Sequence, residues 1–331
     1  MKLYLPGAGA RMIPAVRAVS AVSEVVVSIN DSLGAGGFLA DRAYLLPGFD
    51  EPGFAEGVMA IHRRERFDAC LPVLDSALLF FARNWDRFRD APFRLAMCDP
   101  GIVEMACDKV STLSFLAGCG LPVPPTQTFA EYLGASAHPL PRFLKPRYPE
   151  DRDFGRAVYA RLKDTADVGY WAAKLAGGLD RHIVQPLLEG DEFNIDFFCD
   201  ASGDVRSTVI VRRVSGEPGC ALSCGEIVPG NRFAREVRAV TEAVRLWGAN
   251  QLQAIVAPGG ARCFTELNAR LTADSPFVQA AGVDYFEGTV RLLRGEDIDF
   301  PEAPRALRMV QWDHVCYFEK PPALLLPSRD F

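Results

Sequence analysis

Residues 1–105 alternate short apolar runs with helical stretches, and that alternation leaves few ways to build a sheet. Residues 2–5, 24–29, 43–46 and 69–73 read as strands, and 12–22, 51–64 and 76–84 carry apolar positions at helical spacing. A strand followed by a helix and then another strand predicts parallel pairing, so this part should be α/β and doubly wound. Its first turn, Gly7-x-Gly9 with Asp31 beyond it, imitates a dinucleotide-binding fingerprint. That pattern allows an NAD-dependent oxidoreductase as a rival reading. The third glycine position is occupied by Met12, which weakens helix-to-strand packing and the approach of a phosphate.

From residue 106 the pattern changes to α+β. Asp108 is a good helix N-cap, and Val110, Leu113 and Leu116 give the helix after it one apolar face, stopped near Gly118 or Gly120. Strands are clearest at 143–145, 183–185, 193–198 and 205–212, followed by an amphipathic helix over 233–247. Two further strands, 251–256 and 264–270, flank the turn Ala257-Pro258-Gly259-Gly260-Ala261 and predict an antiparallel hairpin. Side chains two apart on a strand share a face, so Glu266, Asn268 and Arg270 project together, with Gln251 and Gln253 beside them. Carboxylate and amide oxygens are hard ligands for Mg²⁺, and arginine forks onto phosphate oxygens.

Two lysines complete a phosphate site. Lys145 ends the apolar strand of Phe143-Leu144-Lys145-Pro146-Arg147, where Pro146 keeps the chain extended. Lys109 lies in the first turn of its helix, an unfavourable end for a cation unless an anion compensates it. In Ile183-Val184-Gln185-Pro186-Leu187-Leu188, free backbone groups can match the acceptor and donor of adenine. Pro186 lacks an N–H, which predicts an exposed edge or hinge there rather than a central strand.

These segments, in this order, resemble the ATP-grasp superfamily, and in particular its biotin carboxylase and carbamoyl phosphate synthetase branch. The segments are Cys107-Asp108-Lys109-Val110, Phe143-Leu144-Lys145-Pro146, Ile183-Val184-Gln185-Pro186 with Asp191-Glu192, and Phe264-Thr265-Glu266-Leu267-Asn268-Ala269-Arg270. The resemblance covers nearly the whole chain. It implies a Rossmann-like pre-ATP-grasp domain at 1–105, a two-lobed ATP-grasp domain at 106–306 and a tail at 307–331. It implies ATP and Mg²⁺ as cofactors. Lys109, Lys145 and Arg147 would lie on phosphates, Gln185 and Leu187 at adenine, and Glu192 on the ribose. Gln253, Glu266 and Asn268 would hold the metal, with Lys145 and Arg270 as catalytic groups. The implied activity joins a carboxylate to an amine or similar nucleophile through an acyl phosphate. Relatives close a glycine-rich lid over the phosphates. Here the corresponding stretch, Arg147-Tyr148-Pro149-Glu150-Asp151-Arg152-Asp153-Phe154-Gly155-Arg156, has one glycine. Either arginines rebuild the lid, or the protein binds nucleotide without efficient catalysis.

Composition limits the partners. A formal charge of −6 over 331 residues argues against nucleic acid, whose partners carry basic surfaces. No run reaches the roughly 20 apolar residues of a membrane span, and the first residues enter a strand directly, so a cytoplasmic location is expected. The nine cysteines and four histidines form no CxxC or Cys/His quartet, which predicts reduced, buried thiols and no structural zinc. Small-molecule substrates are expected, and a homodimer through the N-terminal domain is common among proteins that look like this. Specificity is expected on 220–231, on 271–282 and on the N-terminal domain.

Overall fold

Leu3, Tyr4 and Leu5 are fully buried, as are Val25, Val26 and Val27 on the neighbouring strand. Burial on both faces is what a parallel sheet covered by helices requires. Leu3, Leu5, Val25 and Val27 pack into one core, while Tyr4 and Val26 pack with Tyr44, Phe67 and Phe81 into another. The computed structural model describes the chain except for residues 8, 10, 136–138, 150–158, 216–222, 312–323 and 326–331. The lid candidates Glu150 to Arg156, together with Cys220, His138, His314 and Trp312, lie outside the described residues.

The N-terminal sheet is parallel, with strands β1 (Lys2–Pro6), β2 (Glu24–Ile29), β3 (Arg42–Leu45), β4 (Ala69–Cys70) and β5 (Arg94–Leu95) in the order β3-β2-β1-β4-β5. Next comes a small antiparallel sheet of β6 (Gln127–Thr128), β7 (Arg142–Pro146), β8 (Ala160–Leu162) and β9 (His182–Pro186), ordered β6-β9-β7-β8. The third sheet is also antiparallel. Its strands are β10 (Asp191–Cys199), β11 (Val205–Ser215), β12 (Cys224–Val228), β13 (Gly248–Val256), β14 (Arg262–Asn268) and β15 (Arg308–Val310), in the order β14-β13-β10-β11-β12-β15. A last strand, β16 (Leu324–Leu325), returns to the N-terminal sheet and pairs with the outer edge of β3.

Some expected boundaries move. The helix predicted over 12–22 stops at Arg17, because the chain must turn back to start β2: Ser23 donates its N–H to the Met1 carbonyl, 2.8 Å away. The helix predicted over 233–247 ends at Ala243. Beyond it, core burial of Leu246 and the bond from the Trp247 N–H to Cys98 Sγ (3.3 Å) redirect the chain. A helix over Pro100–Cys107, capped by Asp99, precedes the lysine-bearing helix Lys109–Gly118. Cys70, Cys98, Cys107 and Cys199 are buried thiols outside any disulfide, and burial pushes Cys98 up to about 11. No helix among the described residues is long and apolar enough to cross a membrane.

Candidate active site

The polar face of the third sheet arises from alternation along β10. Phe193, Ile195, Phe197 and Cys199 enter the core, which turns Glu192, Asn194 and Asp196 to the opposite side. Across β13, Asn194 faces Gln253 and Asp196 faces Gln251; across β14, Gln253 faces Glu266 and Gln251 faces Asn268. A bulge between Gln253 and Ala254 keeps Glu266 on this face. Strict alternation would place it with Phe264, which is buried in the core. A cleft of about 1190 Å³ opens over the face, lined by residues of all three sheets' domains.

Lys145, at the end of β7, and Lys109, at the start of its helix, converge on one carboxylate. Their Nζ atoms lie 3.4 Å and 3.8 Å from Glu266 Oε1. Lys145 is 4% exposed, and its burial, with Lys109 nearby, lowers its pKa despite Glu266. Burial would raise Glu266, but the two lysines outweigh it and hold the carboxyl below its usual range. Lys109 goes up: burial opposes its charge, and Glu266, Tyr159 and Asp75 more than compensate. An anion that neutralises both lysines is therefore suited to the cleft.

The oxygen donors fit Mg²⁺. Gln253 Nε2 and Asn268 Nδ2 both turn toward Gln251 Oε1, at 3.2 Å and 3.4 Å, so their carbonyl oxygens point elsewhere. With Glu266 they form a set of hard donors that includes one carboxylate. No group of three His, Cys, Asp or Glu side chains suited to a metal occurs among the described residues. An ion here would need most of its charge balanced by an anionic ligand.

Two expected phosphate ligands are differently employed. Arg147 does not line the cleft. Its Nε and Nη2 donate to Asp108 Oδ1 and Oδ2, each at 2.7 Å, and its carbonyl accepts from the Lys109 N–H (3.2 Å). This double clasp sets Lys109 beside Lys145. Arg270 does line the cleft, but its Nε is bonded to Asp75, and its Nη2 donates to Asp75 Oδ2 at 2.7 Å. Asp75 opens the helix Asp75–Arg83, which follows β4 of the parallel sheet, so this pair joins that part of the chain to the polar face of the third sheet. Strand alternation could not reveal it, since Arg270 lies beyond β14 and its partner is in another domain.

The Asp108 clasp makes stability pH-dependent. Burial would raise this carboxyl, but Arg147, Ser111 and the Val110 N–H hold it below the usual range. A depressed carboxylate stabilises the fold above its unfolded pKa, about 4, and loses that contribution as pH falls through the lower native value. Arg147→Ala should cost about 2 kcal/mol at pH 7, and the gap to the parent protein should narrow below pH 4. Thermal unfolding across pH 2–7 measures it; a gap that stays constant with pH would refute the assignment.

Gln185 and Leu187 line the cleft, and Gln185 Nε2 donates to Thr126 Oγ1 at 2.9 Å. β9 is not an edge strand, contrary to the expectation drawn from Pro186: it lies between β6 and β7. β6 pairs only with Ile183 and Val184, so the proline falls where pairing persists on the β7 side alone. Glu192 pairs with Arg213 (3.2 Å); burial and the Glu266 and Asp274 charges push its carboxyl up against that arginine. In the pattern that imitates a dinucleotide fingerprint, Asp31 Oδ1 accepts from the Leu33 N–H two residues on (2.9 Å). Gly7 has φ +66, and a Cβ there would lie 2.8 Å from the Phe49 ring, so packing and backbone conformation account for that glycine.

The alternating polar positions of β10 could have exposed Asn194 and Asp196 in the sequence. Asp274, from the segment after β14, also lines the cleft.

No family model and no curated protein matches the chain. Solved structures do. The biotin carboxylase domain of 2-oxoglutarate carboxylase from Hydrogenobacter thermophilus, in complex with MgADP, ADP and bicarbonate, superposes with a TM-score of 0.70 at 16% identity, covering 90% of this chain and 70% of that one. The ADP complex of N5-carboxyaminoimidazole ribonucleotide synthetase gives 0.74 at 14%, covering 93% and 81%. An L-amino acid ligase from Bacillus licheniformis gives 0.68 at 17%, covering 88% and 74%. All three are ATP-grasp enzymes, and at these identities the likeness establishes the shared fold.

Proposed function

We propose that this chain, which has the ATP-grasp fold, is an ADP-forming ligase that joins a carboxylate to an amine or similar nucleophile through an acyl phosphate. The observation that carries the proposal is the convergence of Lys109 and Lys145 on Glu266, beside the amide oxygens of Gln253 and Asn268. When bound, a magnesium ion held by Glu266, Asn268 and Gln253 would neutralise phosphate charge. Lys109 and Lys145 would grip the phosphates, and the cleft end of β9, with Gln185 and Leu187, would take adenine. Glu192 would face the ribose. Arg270 would reach the transferring phosphoryl group by exchanging Asp75 for it. The protein then contributes positioning and electrostatics. A homodimer belongs to the same proposal, since the Hydrogenobacter domain is a dimer.

One observation favours a second reading, nucleotide binding without efficient turnover: Asp75 already occupies Arg270. ADP release from Mg-ATP decides between them. We expect ADP only when pooled carboxylates and amines are both present. No ADP under any mixture, with Mg-ATP still raising the unfolding temperature, would favour the binding protein.

A further inference from the structure

Beside the polar face of the third sheet lie two carboxylates, Asp196 one strand further into the sheet and Asp274 beyond β14, that hold no cation in a direct ion pair among the described residues. Asp196 on β10 is 2% exposed and Asp274, just before the helix Ser275–Ala280, is 5% exposed. Gln251 Nε2 donates to both, at 3.1 Å to Asp196 Oδ1 and 3.3 Å to Asp274 Oδ2. Asn194 Nδ2 donates to Asp274 Oδ2 at 2.5 Å, and Thr272 Oγ1 to Asp196 Oδ1 at 3.4 Å. These donors leave acceptors over. Asp196 Oδ2 and Asn194 Oδ1 are buried and accept no hydrogen bond from the described residues, and Asn194, like Asp196, is 2% exposed. Buried polar atoms are nearly always paired in folded proteins, so a donor is missing from this corner. Asn194, Gln251, Thr272 and Asp274 line the cleft, with Asp196 behind them, so a donor for Asn194 can come from a ligand.

The character of that ligand follows from what is left over. Asp196 Oδ2 and Asn194 Oδ1 are both acceptors, and they lie beside two acids. An anion would bring only more acceptors to these two atoms, whereas an ammonium brings three N–H donors and the opposite charge. Burial raises both carboxyls, and the Asp274 charge raises Asp196 further, so a cation beside them would relieve both. Arg213 and Arg11 also face Asp274 and temper its charge. Cross-strand neighbours are about 5 Å apart, which puts this corner within reach of a phosphoryl group held at Glu266 and Asn268.

We propose that Asp274, backed by Asp196 and Asn194, receives the ammonium group of the nucleophilic substrate, so that this substrate is a primary amine and not a small anion such as bicarbonate. The assignment rests on the ligase reading for its place in a reaction, but binding tests it independently of turnover. The thermal shift of the full chain, with Mg-ADP present, is measured against a panel of primary amines from methylammonium to amino-acid amides. A matched panel of carboxylates and bicarbonate is measured alongside. Amines should raise the unfolding temperature of the parent protein, and Asp274→Asn should weaken that response at least tenfold. The Mg-ADP shift of the same variant reports that its fold and nucleotide site persist; Asp196→Asn provides a second variant if it does not. No response to any amine, an unchanged response in both variants, or a response to bicarbonate and carboxylates alone would overturn the proposal. The ligase reading stands or falls separately, on ADP release by the parent protein.

Discussion

Glu266→Gln is expected to lower ADP formation about a thousandfold, roughly 4 kcal/mol of barrier, with little change in side-chain volume. The size of the effect comes from two roles meeting in one carboxylate. It is the sole charged donor of the Gln253, Glu266 and Asn268 set, so its loss weakens any hold on a metal-bound phosphate. It also faces both lysines, at 3.4 Å and 3.8 Å. Without it, Lys145, already lowered by burial, would lose the carboxylate that favours its charged form. Protection by Mg-ATP in thermal unfolding should shrink in parallel. Parent-like turnover in the variant would remove Glu266 from the metal site.

Gly190→Ala should cost about 3 kcal/mol of stability, several degrees in unfolding temperature. Gly190 joins β9 to β10 at φ +147, a conformation that side-chain-bearing residues rarely adopt. A Cβ there would run into the Val256 carbonyl and lie 2.9 Å from the Ala257 N–H, and neither backbone group can swing away as a side chain could. Relief would require β10 to pull back from β13, shifting Glu192 and Asn194 relative to Gln253. Nucleotide affinity should therefore fall with stability. An unchanged unfolding temperature would show that the junction is looser than its packing implies.

Much of the site could be read along single strands. Glu266 and Asn268 follow from alternation, Gln253 from the hairpin, and Lys145 from an apolar strand that ends in a cation. Asp108 was readable as a cap, because the helix needs an acceptor for the Val110 N–H. Contacts between distant segments were hidden. Nothing near Arg147 signals that its fork would close on Asp108 rather than on phosphate, and nothing near Arg270 points to Asp75. Where two acceptors compete for one guanidinium, the outcome depends on which is brought within reach, and that is a property of the assembled fold. β9 shows the same limit: a proline weakens one residue's pairing, and the position of the whole strand was set by β6 and β7 on either side.

The returning strand β16 has a consequence for how the protein is made. β3 is complete early in synthesis, but the strand that covers its outer edge is among the last described residues of the chain. At about 5–20 residues per second, that edge stays open for tens of seconds on the ribosome, with its backbone groups free to pair with another chain. The N-terminal sheet is thus first to begin and last to close, and the cleft is built in the interval between.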